Sequence, residues 1–173
     1  MKALLLAAGL GTRLRPLTNF WPKCLMPIQG RPLLEYWIEA LRALEVEQVW
    51  VNLHYMPEVV MDFLDQPQFA DWVSCIEEQE LLGTAGTLRQ LSEELQGETV
   101  MLVHADNWCQ CDFRAFFNSH LNRLESTLIT MMTFRTETPE TCGIVEIDDQ
   151  GIVQGFHEKV ENPPGNLANA AVY

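Results

Sequence analysis

Apolar runs alternate with helical apolar stripes over residues 1–124. Such runs are typical of strands buried on both faces of a parallel sheet. The stripes are typical of helices that pack against a face of such a sheet. The predicted strands are Ala3–Ala8, Gln48–Leu53, Val73–Glu77 and Thr99–His104. The predicted helices begin at Pro32, after Pro57, at Thr84 (ending at Leu95) and after Asp112. This alternation predicts βαβ units with right-handed crossovers, and therefore a largely parallel sheet.

The pattern changes after residue 124, where short strand-like segments follow one another. They predict strands at Thr127–Phe134, Gly143–Ile147, Ile152–Glu158 and Leu167–Tyr173, with a hairpin turn at Asp148-Asp149-Gln150-Gly151. We expect these antiparallel strands to extend the sheet, which gives an α/β fold with a mixed, mainly parallel central sheet. No repeat or linker-like segment stands out, so residues 1–173 are expected to form a single domain.

Composition excludes several classes of protein. The chain has 173 residues, of which 47% are hydrophobic and 20% charged, and this is typical of a globular domain rather than a disordered one. No segment reaches the roughly 18 apolar residues that a membrane-spanning helix needs. The apolar run Ala3–Ala8 is too short for a secretory signal. We therefore expect a cytoplasmic protein with no membrane partner.

The five cysteines are an odd, scattered set, which favours reduced thiols. Cys109 and Cys111 form a C-x-C near His104, but no second cysteine pair accompanies them. We therefore interpret them as small buried residues rather than as zinc ligands.

The formal net charge of -13 excludes general affinity for nucleic acid, because an acidic surface repels a phosphate backbone. The charge is unevenly distributed along the chain. Residues 1–34 contain five lysines and arginines and no acidic residue, whereas residues 35–173 contain 6 basic and 24 acidic side chains. A basic N-terminal segment on an acidic body predicts one local anion site.

Glycines and cations follow the first predicted strand. In open α/β sheets, ligands bind beyond the carboxyl ends of the strands, so the segments of interest are residues 9–23, 78–86 and 104–108. Gly9 and Gly11 let backbone N–H groups approach an anion, and Arg13 and Lys23 supply positive charge. The loop is not a dinucleotide fingerprint, whose third glycine would fall at Leu14, and no Gly-Lys-Ser/Thr makes it a Walker loop. It predicts a phosphate site of another kind.

This loop closely resembles the signature of the sugar-1-phosphate nucleotidyltransferases, also called nucleotide-sugar pyrophosphorylases. The match is Gly9-Leu10-Gly11-Thr12-Arg13-Leu14-x-Pro16-Leu17-Thr18, followed by Pro22-Lys23. Further similar segments are Leu82-Gly83-Thr84-Ala85-Gly86, Val103-His104-Ala105-Asp106, Gly143-Ile144-Val145-Glu146, Glu158-Lys159 and Asn169-Ala170-Ala171-Val172-Tyr173. The resemblance implies a Rossmann-like three-layer α/β/α fold of the nucleotide-diphospho-sugar transferase type. It also implies transfer of NMP from an NTP to a sugar 1-phosphate, with release of pyrophosphate.

The resemblance further implies a role for each matching residue. Arg13, Lys23 and Asp106 would be catalytic, and Asp106 would bind Mg²⁺. The residues implied to contact the nucleotide are Ala8, Gly9, Gly11, Thr12, Arg13, Lys23, Gly83 and Thr84. Those implied to contact the sugar phosphate are Gly143, Glu158, Lys159 and Asn169. Neighbouring strand residues face opposite sides, so Glu158 and Lys159 cannot both point at the sugar without a bulge.

The sequence departs from the family pattern at three points. Ala105 replaces a glycine, which places an extra methyl group near the sugar, and Val160 replaces a proline. The chain ends at Tyr173, before the family's second metal-binding aspartate, so we expect a catalytic domain without its C-terminal portion.

The second loop and the segment at Asn169 look most like guanylyltransferases that act on mannose 1-phosphate or a related hexose or heptose 1-phosphate. Uridylyl, thymidylyl or cytidylyl transfer to another acceptor stays open, because pocket shape decides base and sugar. The short C-terminus favours a different class, a non-catalytic nucleotide-sugar-binding regulatory subunit. The joint presence of Arg13, Lys23 and Asp106 favours the enzyme. The sequence predicts no oligomeric state.

Overall fold

A computed structural model describes residues 1–173 and divides them into two compact units, Met1–Phe113 and Arg114–Tyr173. The first unit contains β1 (Lys2–Leu6), β2 (Pro27–Ile28), β3 (Arg31–Pro32), α1 (Leu33–Ala43), β4 (Gln48–Leu53), α2 (Pro57–Leu64), β5 (Val73–Glu77), α3 (Gly83–Gln90), α4 (Ser92–Leu95) and β6 (Val100–His104). The second contains most of α5 (Phe113–Leu121), then β7 (Thr133–Arg135), β8 (Gly143–Ile147), β9 (Val153–Glu158) and β10 (Leu167–Asn169). The single domain expected over residues 1–173 stays a prediction.

Four parallel strands form the central sheet of the first unit. They hydrogen-bond in the order β5-β4-β1-β6. Ala3, Leu4 and Leu5 of β1 expose no surface, because the strand is covered on both faces as its apolar run predicts. The helices that connect the strands complete a Rossmann-like α/β fold with a mainly parallel central sheet, so the predicted fold class is confirmed.

Two helical predictions differ in outcome. The stripe predicted after Pro32 forms α1, with the proline as its N-cap residue. The single helix predicted over residues 84–95 is wrong, since the structure has two helices that meet at Leu91. Leu91 takes φ −93° and ψ 14°, outside helical geometry, although leucine is a good helix former, so local helical propensity does not predict this break.

The register of the parallel sheet aligns the carboxyl ends of its strands. Leu6 of β1 pairs with Asn52 of β4 on one side and with His104 of β6 on the other. Asn52 is in turn opposite Ile76 of β5. The segments that follow β1, β5 and β6 therefore leave the sheet along one edge, as the sequence predicts.

The strands of the second unit form an antiparallel sheet of their own, in the order β7-β10-β8-β9. The expectation that these strands extend the parallel sheet is therefore corrected, because a strand pattern indicates a strand but not its pairing partner. The predicted hairpin joins β8 and β9. Asp148 Oδ1 accepts hydrogen bonds from the N–H groups of Gln150 and Ile152 there.

Two strands of this sheet are shorter than predicted. Leu128 and Ile129 are 82% and 71% exposed, and the strand expected from residue 127 is limited to β7. β10 ends at Asn169 because Asn169 Oδ1 accepts a hydrogen bond from Ala171 N–H at 2.8 Å. Ala171 then takes a φ of 57°, which is incompatible with an extended strand.

No helix has the length and hydropathy that a membrane span requires.

Candidate nucleotide-binding site

The first glycine loop turns sharply at Gly11. Its φ of 61° lies in the left-handed region, and a Cβ there would lie 2.8 Å from Thr18 Cγ2 and 3.2 Å from Lys23 Cβ. Thr18 Oγ1 donates a hydrogen bond to the Gly11 carbonyl oxygen at 2.9 Å. Only glycine fits this turn, and the turn brings Lys23 against the loop. A Cβ at Gly9, by contrast, would meet no atom within 4 Å, so its surface is open.

Lys23 and Asp106 form an ion pair at the carboxyl edge of the sheet. Lys23 Nζ lies 2.7 Å from Asp106 Oδ2. The lysine comes from the segment after β1 and the aspartate from the segment after β6. Their side chains are 22% and 39% exposed, so both groups can be reached by a ligand. The pair can therefore present a cation to phosphate and a carboxylate to a metal ion.

Arg13 lies in a short 3-10 helix, Thr12–Leu14, directly after Gly11. The side chains of Thr12 and Arg13 are exposed. Arg31, in comparison, lies 3.0 Å from Glu35 and 2.5 Å from Glu39, so two carboxylates already engage its guanidinium. Arg13 forms no such salt bridge, so its guanidinium can bind an anion without first leaving a carboxylate.

The second glycine loop begins α3. Gly83 has a φ of 70°, and a Cβ there would meet no atom within 4 Å. Thr84 Oγ1 lies 3.3 Å from His104 Nε2, which connects this loop to the end of β6. Burial lowers the pKa of His104, and the nearby Asp106 carboxylate opposes that change. Burial therefore favours the neutral imidazole.

Three buried polar side chains connect the two loops, and motif analysis missed all of them. Asn52, Glu78 and Thr87 are 4%, 4% and 0% exposed. Asn52 Oδ1 accepts hydrogen bonds from Ala7 N–H and Ala8 N–H at 2.6 and 3.3 Å, so the Ala8 amide is already engaged. The available signals are an asparagine inside the apolar run of β4 and a glutamate immediately after β5.

Three of the predicted sugar-binding residues lie together in the second unit. Gly143 is opposite Glu158 in the β8–β9 pair, and a Cβ on Gly143 would lie 2.7 Å from Glu158 Oε2. Lys159 follows the end of β9 with a φ of 50°, and its Nζ lies 2.8 Å from Glu158 Oε1. The alternation of strand side chains therefore does not separate Glu158 from Lys159, because the lysine is outside the strand.

Asn169 lies at the end of β10, the neighbour of β8. Ala168, directly before it, is opposite Ile144, directly after Gly143. Asn169 Nδ2 donates a hydrogen bond to the Tyr173 hydroxyl at 2.6 Å, and Asn169 Oδ1 accepts one from Ala171 N–H. The amide therefore orders the residues that follow the strand.

One expectation about small residues is wrong and another stays a prediction. Ala105 is fully buried and its N–H donates to the Leu6 carbonyl oxygen at 3.0 Å, and the placement of its methyl group near the sugar stays a prediction. Cys111 is exposed and Cys109 is half-buried, so the C-x-C is not a pair of buried residues. Cys24 is the buried thiol, and its burial raises its pKa to about 12.

One carboxylate of the site suits a divalent cation. No three or more histidine, cysteine, aspartate or glutamate side chains lie together in a group that could hold a metal ion. A closed zinc site takes four such ligands, so the arrangement does not fit one. Asp106 is partly exposed. A hard divalent cation that keeps its waters and uses one or two carboxylates plus substrate phosphates fits this residue.

The family follows from comparison with known proteins. Residues 2–173 match the family described as Nucleotidyl transferase, and the chain belongs to this family. Mannose-1-phosphate guanylyltransferase 1 of Arabidopsis thaliana is 33% identical over 179 residues, covering 100% of this chain and 49% of the relative. Mannose-1-phosphate guanylyltransferase of Mycobacterium tuberculosis is 31% identical over 172 residues, covering 99% and 47%.

A solved structure supports the same fold. The crystal structure of HddC from Yersinia pseudotuberculosis is 25% identical to the chain, with a TM-score of 0.75, covering 99% of this chain and 72% of that one. The chain spans about half the length of the curated relatives it matches.

Proposed function

We propose that the protein transfers a nucleoside monophosphate from an NTP to a sugar 1-phosphate and releases pyrophosphate. The observation that carries this proposal is the Lys23–Asp106 pair, 2.7 Å apart, beside the turn at Gly11. Family membership supports the reaction class. The joint presence of an accessible lysine, an unpaired arginine and an accessible carboxylate favours phosphoryl chemistry over nucleotide binding alone.

In the proposed reaction, a phosphate oxygen of the sugar 1-phosphate attacks the α-phosphorus of the NTP in line. A phosphorus–oxygen bond forms on that side, and the bond to the β-phosphate oxygen breaks, so the electron pair leaves with pyrophosphate. Little covalent work falls to the protein, and the rate depends on positioning and charge neutralisation. The two phosphate groups are both anions and must approach each other. A cation between them therefore lowers the activation barrier most.

The residues around the first loop divide that task. Lys23 binds the α-phosphate and the incoming sugar phosphate and lowers their mutual repulsion. Gly9, Gly11 and Thr12 surround the triphosphate with backbone N–H groups, and Arg13 binds the leaving pyrophosphate. Asp106 would hold Mg²⁺, which when bound neutralises charge on the phosphate oxygens.

The second loop and the second unit are proposed to select the two substrates. The open surface at Gly83 and the hydroxyl of Thr84 would receive the nucleoside. Gly143, Glu158, Lys159 and Asn169 would receive the sugar phosphate. The proposed base is guanine and the proposed acceptor is mannose 1-phosphate or a related hexose or heptose 1-phosphate, which the names of the two curated relatives support.

The experiment is a pyrophosphate-release assay on the purified protein with Mg²⁺. GTP, UTP, dTTP, CTP and ATP are each combined with a panel of sugar 1-phosphates. We expect release with GTP and a hexose or heptose 1-phosphate. An NTP that binds in direct titration without release from any pair would contradict the enzyme and support the regulatory subunit.

A further inference from the structure

We propose that Asn52, Glu78 and Thr87 are positioning residues that fix the two nucleotide loops to each other and thereby set nucleotide affinity. This inference rests on the proposed function of those loops. None of the three side chains belongs to the glycine motifs, and none contacts solvent to more than 4%. Their role follows from which atoms they join.

Asn52 contacts the first loop with one atom and the second with the other. Its Oδ1 accepts the hydrogen bonds from Ala7 N–H and Ala8 N–H, the residues directly before Gly9. Its Nδ2 donates to Glu78 Oε1 at 3.0 Å. The Asn52 oxygen therefore accepts hydrogen bonds from the first loop, and its nitrogen donates one toward the second loop.

Glu78 continues the connection into the second loop. Its Oε2 accepts a hydrogen bond from Leu82 N–H at 3.2 Å, the residue before Gly83. Thr87 Oγ1 lies 2.5 Å from Glu78 Oε1 and 3.1 Å from the Gly83 carbonyl oxygen. The carboxylate thus accepts from a side chain amide, a hydroxyl and a backbone N–H group, and all of its neighbours in the network are donors to it.

Burial makes this arrangement specific. Bulk solvent does not reach sites exposed by 4% or less, so removing one hydrogen-bonding group leaves its partner atom unsatisfied. The network is also directional, with the donor at position 52 and the acceptor at position 78. Changing either group alone creates a repulsive contact, and exchanging the two groups restores an attractive one.

This directionality defines the experiment. Asn52→Asp places two carboxylates about 3 Å apart, and Glu78→Gln puts an amide N–H group against either Asn52 Nδ2 or Leu82 N–H. In the double variant Asn52→Asp/Glu78→Gln, the glutamine can donate to the aspartate while its oxygen accepts from Leu82. The aspartate still accepts from Ala7 and Ala8.

We expect each single variant to raise the KM for the NTP by about tenfold or more, with a smaller change in kcat. The double variant should return to within about threefold of the wild-type KM. Amide hydrogen exchange should accelerate in both residues 7–13 and residues 82–90 in each single variant, and slow again in the double variant. Thr87→Val should raise the KM, whereas Thr87→Ser, which keeps the hydroxyl, should not.

Leu64→Ala is the matched control for stability. Leu64 is buried at the last residue of α2. This helix connects the parallel strands β4 and β5, so it ends near the amino ends of the strands, whereas the nucleotide loops follow the carboxyl ends. Leu64→Ala should lower the thermal midpoint without changing the KM for the NTP. An equal rise in KM in this variant would contradict positioning, and so would additive losses in the double variant or faster exchange confined to one loop.

The two proposals fail differently. Wild-type protein that releases no pyrophosphate from any pair contradicts the proposed function, and amide exchange then decides whether the network joins the loops. If a single variant does not fold, the KM of the double variant and the comparison of Thr87→Val with Thr87→Ser still test the proposed network. Active wild-type enzyme with unchanged exchange and KM in Thr87→Val contradicts the network.

Discussion

Lys23 Nζ lies 2.7 Å from Asp106 Oδ2, so the group assigned to phosphate and the group assigned to the divalent cation form an ion pair with each other. Asp106 would hold a divalent cation in place of Lys23, and Lys23 would then bind the phosphate. The two ligands are therefore expected to bind more favourably together than separately.

Asp106→Asn should separate catalysis from stability at this pair. Both side chains are partly exposed, so loss of the ion pair should change the free energy of unfolding by less than about 1 kcal/mol. Turnover should fall by roughly 10²-fold, as is typical when one preorganised electrostatic group is lost. Urea unfolding and initial rates of pyrophosphate release measure the two effects. Intact turnover would contradict the assignment of Asp106.

Gly11→Ala should destabilise the protein, because Ala would keep a φ near 61° and place its Cβ 2.8 Å from Thr18 Cγ2. Strain of this kind costs about 1–3 kcal/mol. Gly9→Ala is the matched control, since a Cβ at Gly9 meets no atom within 4 Å. Thermal unfolding of both variants tests the turn, and an equal loss in both would contradict it.

Gly143→Ala should act on the sugar phosphate. The new Cβ would lie 2.7 Å from Glu158 Oε2 and 2.6 Å from Phe156 Cζ, so the carboxylate must move. The KM for the sugar 1-phosphate should rise by about tenfold or more while the KM for the NTP stays unchanged. Gly165→Ala, where a Cβ meets no atom within 4 Å, is the control. A rise in the KM for the NTP alone would contradict the assignment.

Cys24 should resist alkylation in the native protein. Burial raises the pKa of its thiol from 9.0 to about 12, so at pH 8 the thiolate fraction is lower than that of an ordinary cysteine, and the sulfur is also inaccessible. Raising the pH to 10 increases labelling of the unfolded chain but should leave native Cys24 unlabelled. Mass spectrometry of each cysteine after a pulse of iodoacetamide checks this. Rapid native labelling of Cys24 would show that the segment beside Lys23 opens.

The sequence is sufficient where local pattern decides the structure. The apolar run of β1 and its following glycines predict a buried strand with a ligand loop at its carboxyl end. The turn at Gly11 then brings Lys23 into place over a short distance in sequence. Asp106 is predictable for the same reason, since it follows another apolar run of the parallel sheet.

The sequence is insufficient where distant residues decide the structure. Asn52 resembles an interruption of an apolar strand, and its four partners come from three segments of the chain. The pairing of β8 with β10 across more than twenty residues is equally invisible to alternation. Leu91 interrupts a helical pattern although leucine favours helices, so its local sequence does not indicate the break.

The most direct test of the proposed function compares kcat/KM for Lys23→Ala and Arg31→Ala in the pyrophosphate-release assay. Both variants remove one positive charge from the basic segment, but Arg31 is paired with Glu35 and Glu39, whereas Lys23 lies beside the turn at Gly11. We expect Lys23→Ala to lose roughly 10²-fold in kcat/KM, which is about 3 kcal/mol of transition-state stabilisation. Arg31→Ala should stay near the wild-type value. Equal losses in the two folded variants, or no loss in Lys23→Ala, would contradict the assignment of Lys23 to the reacting phosphates.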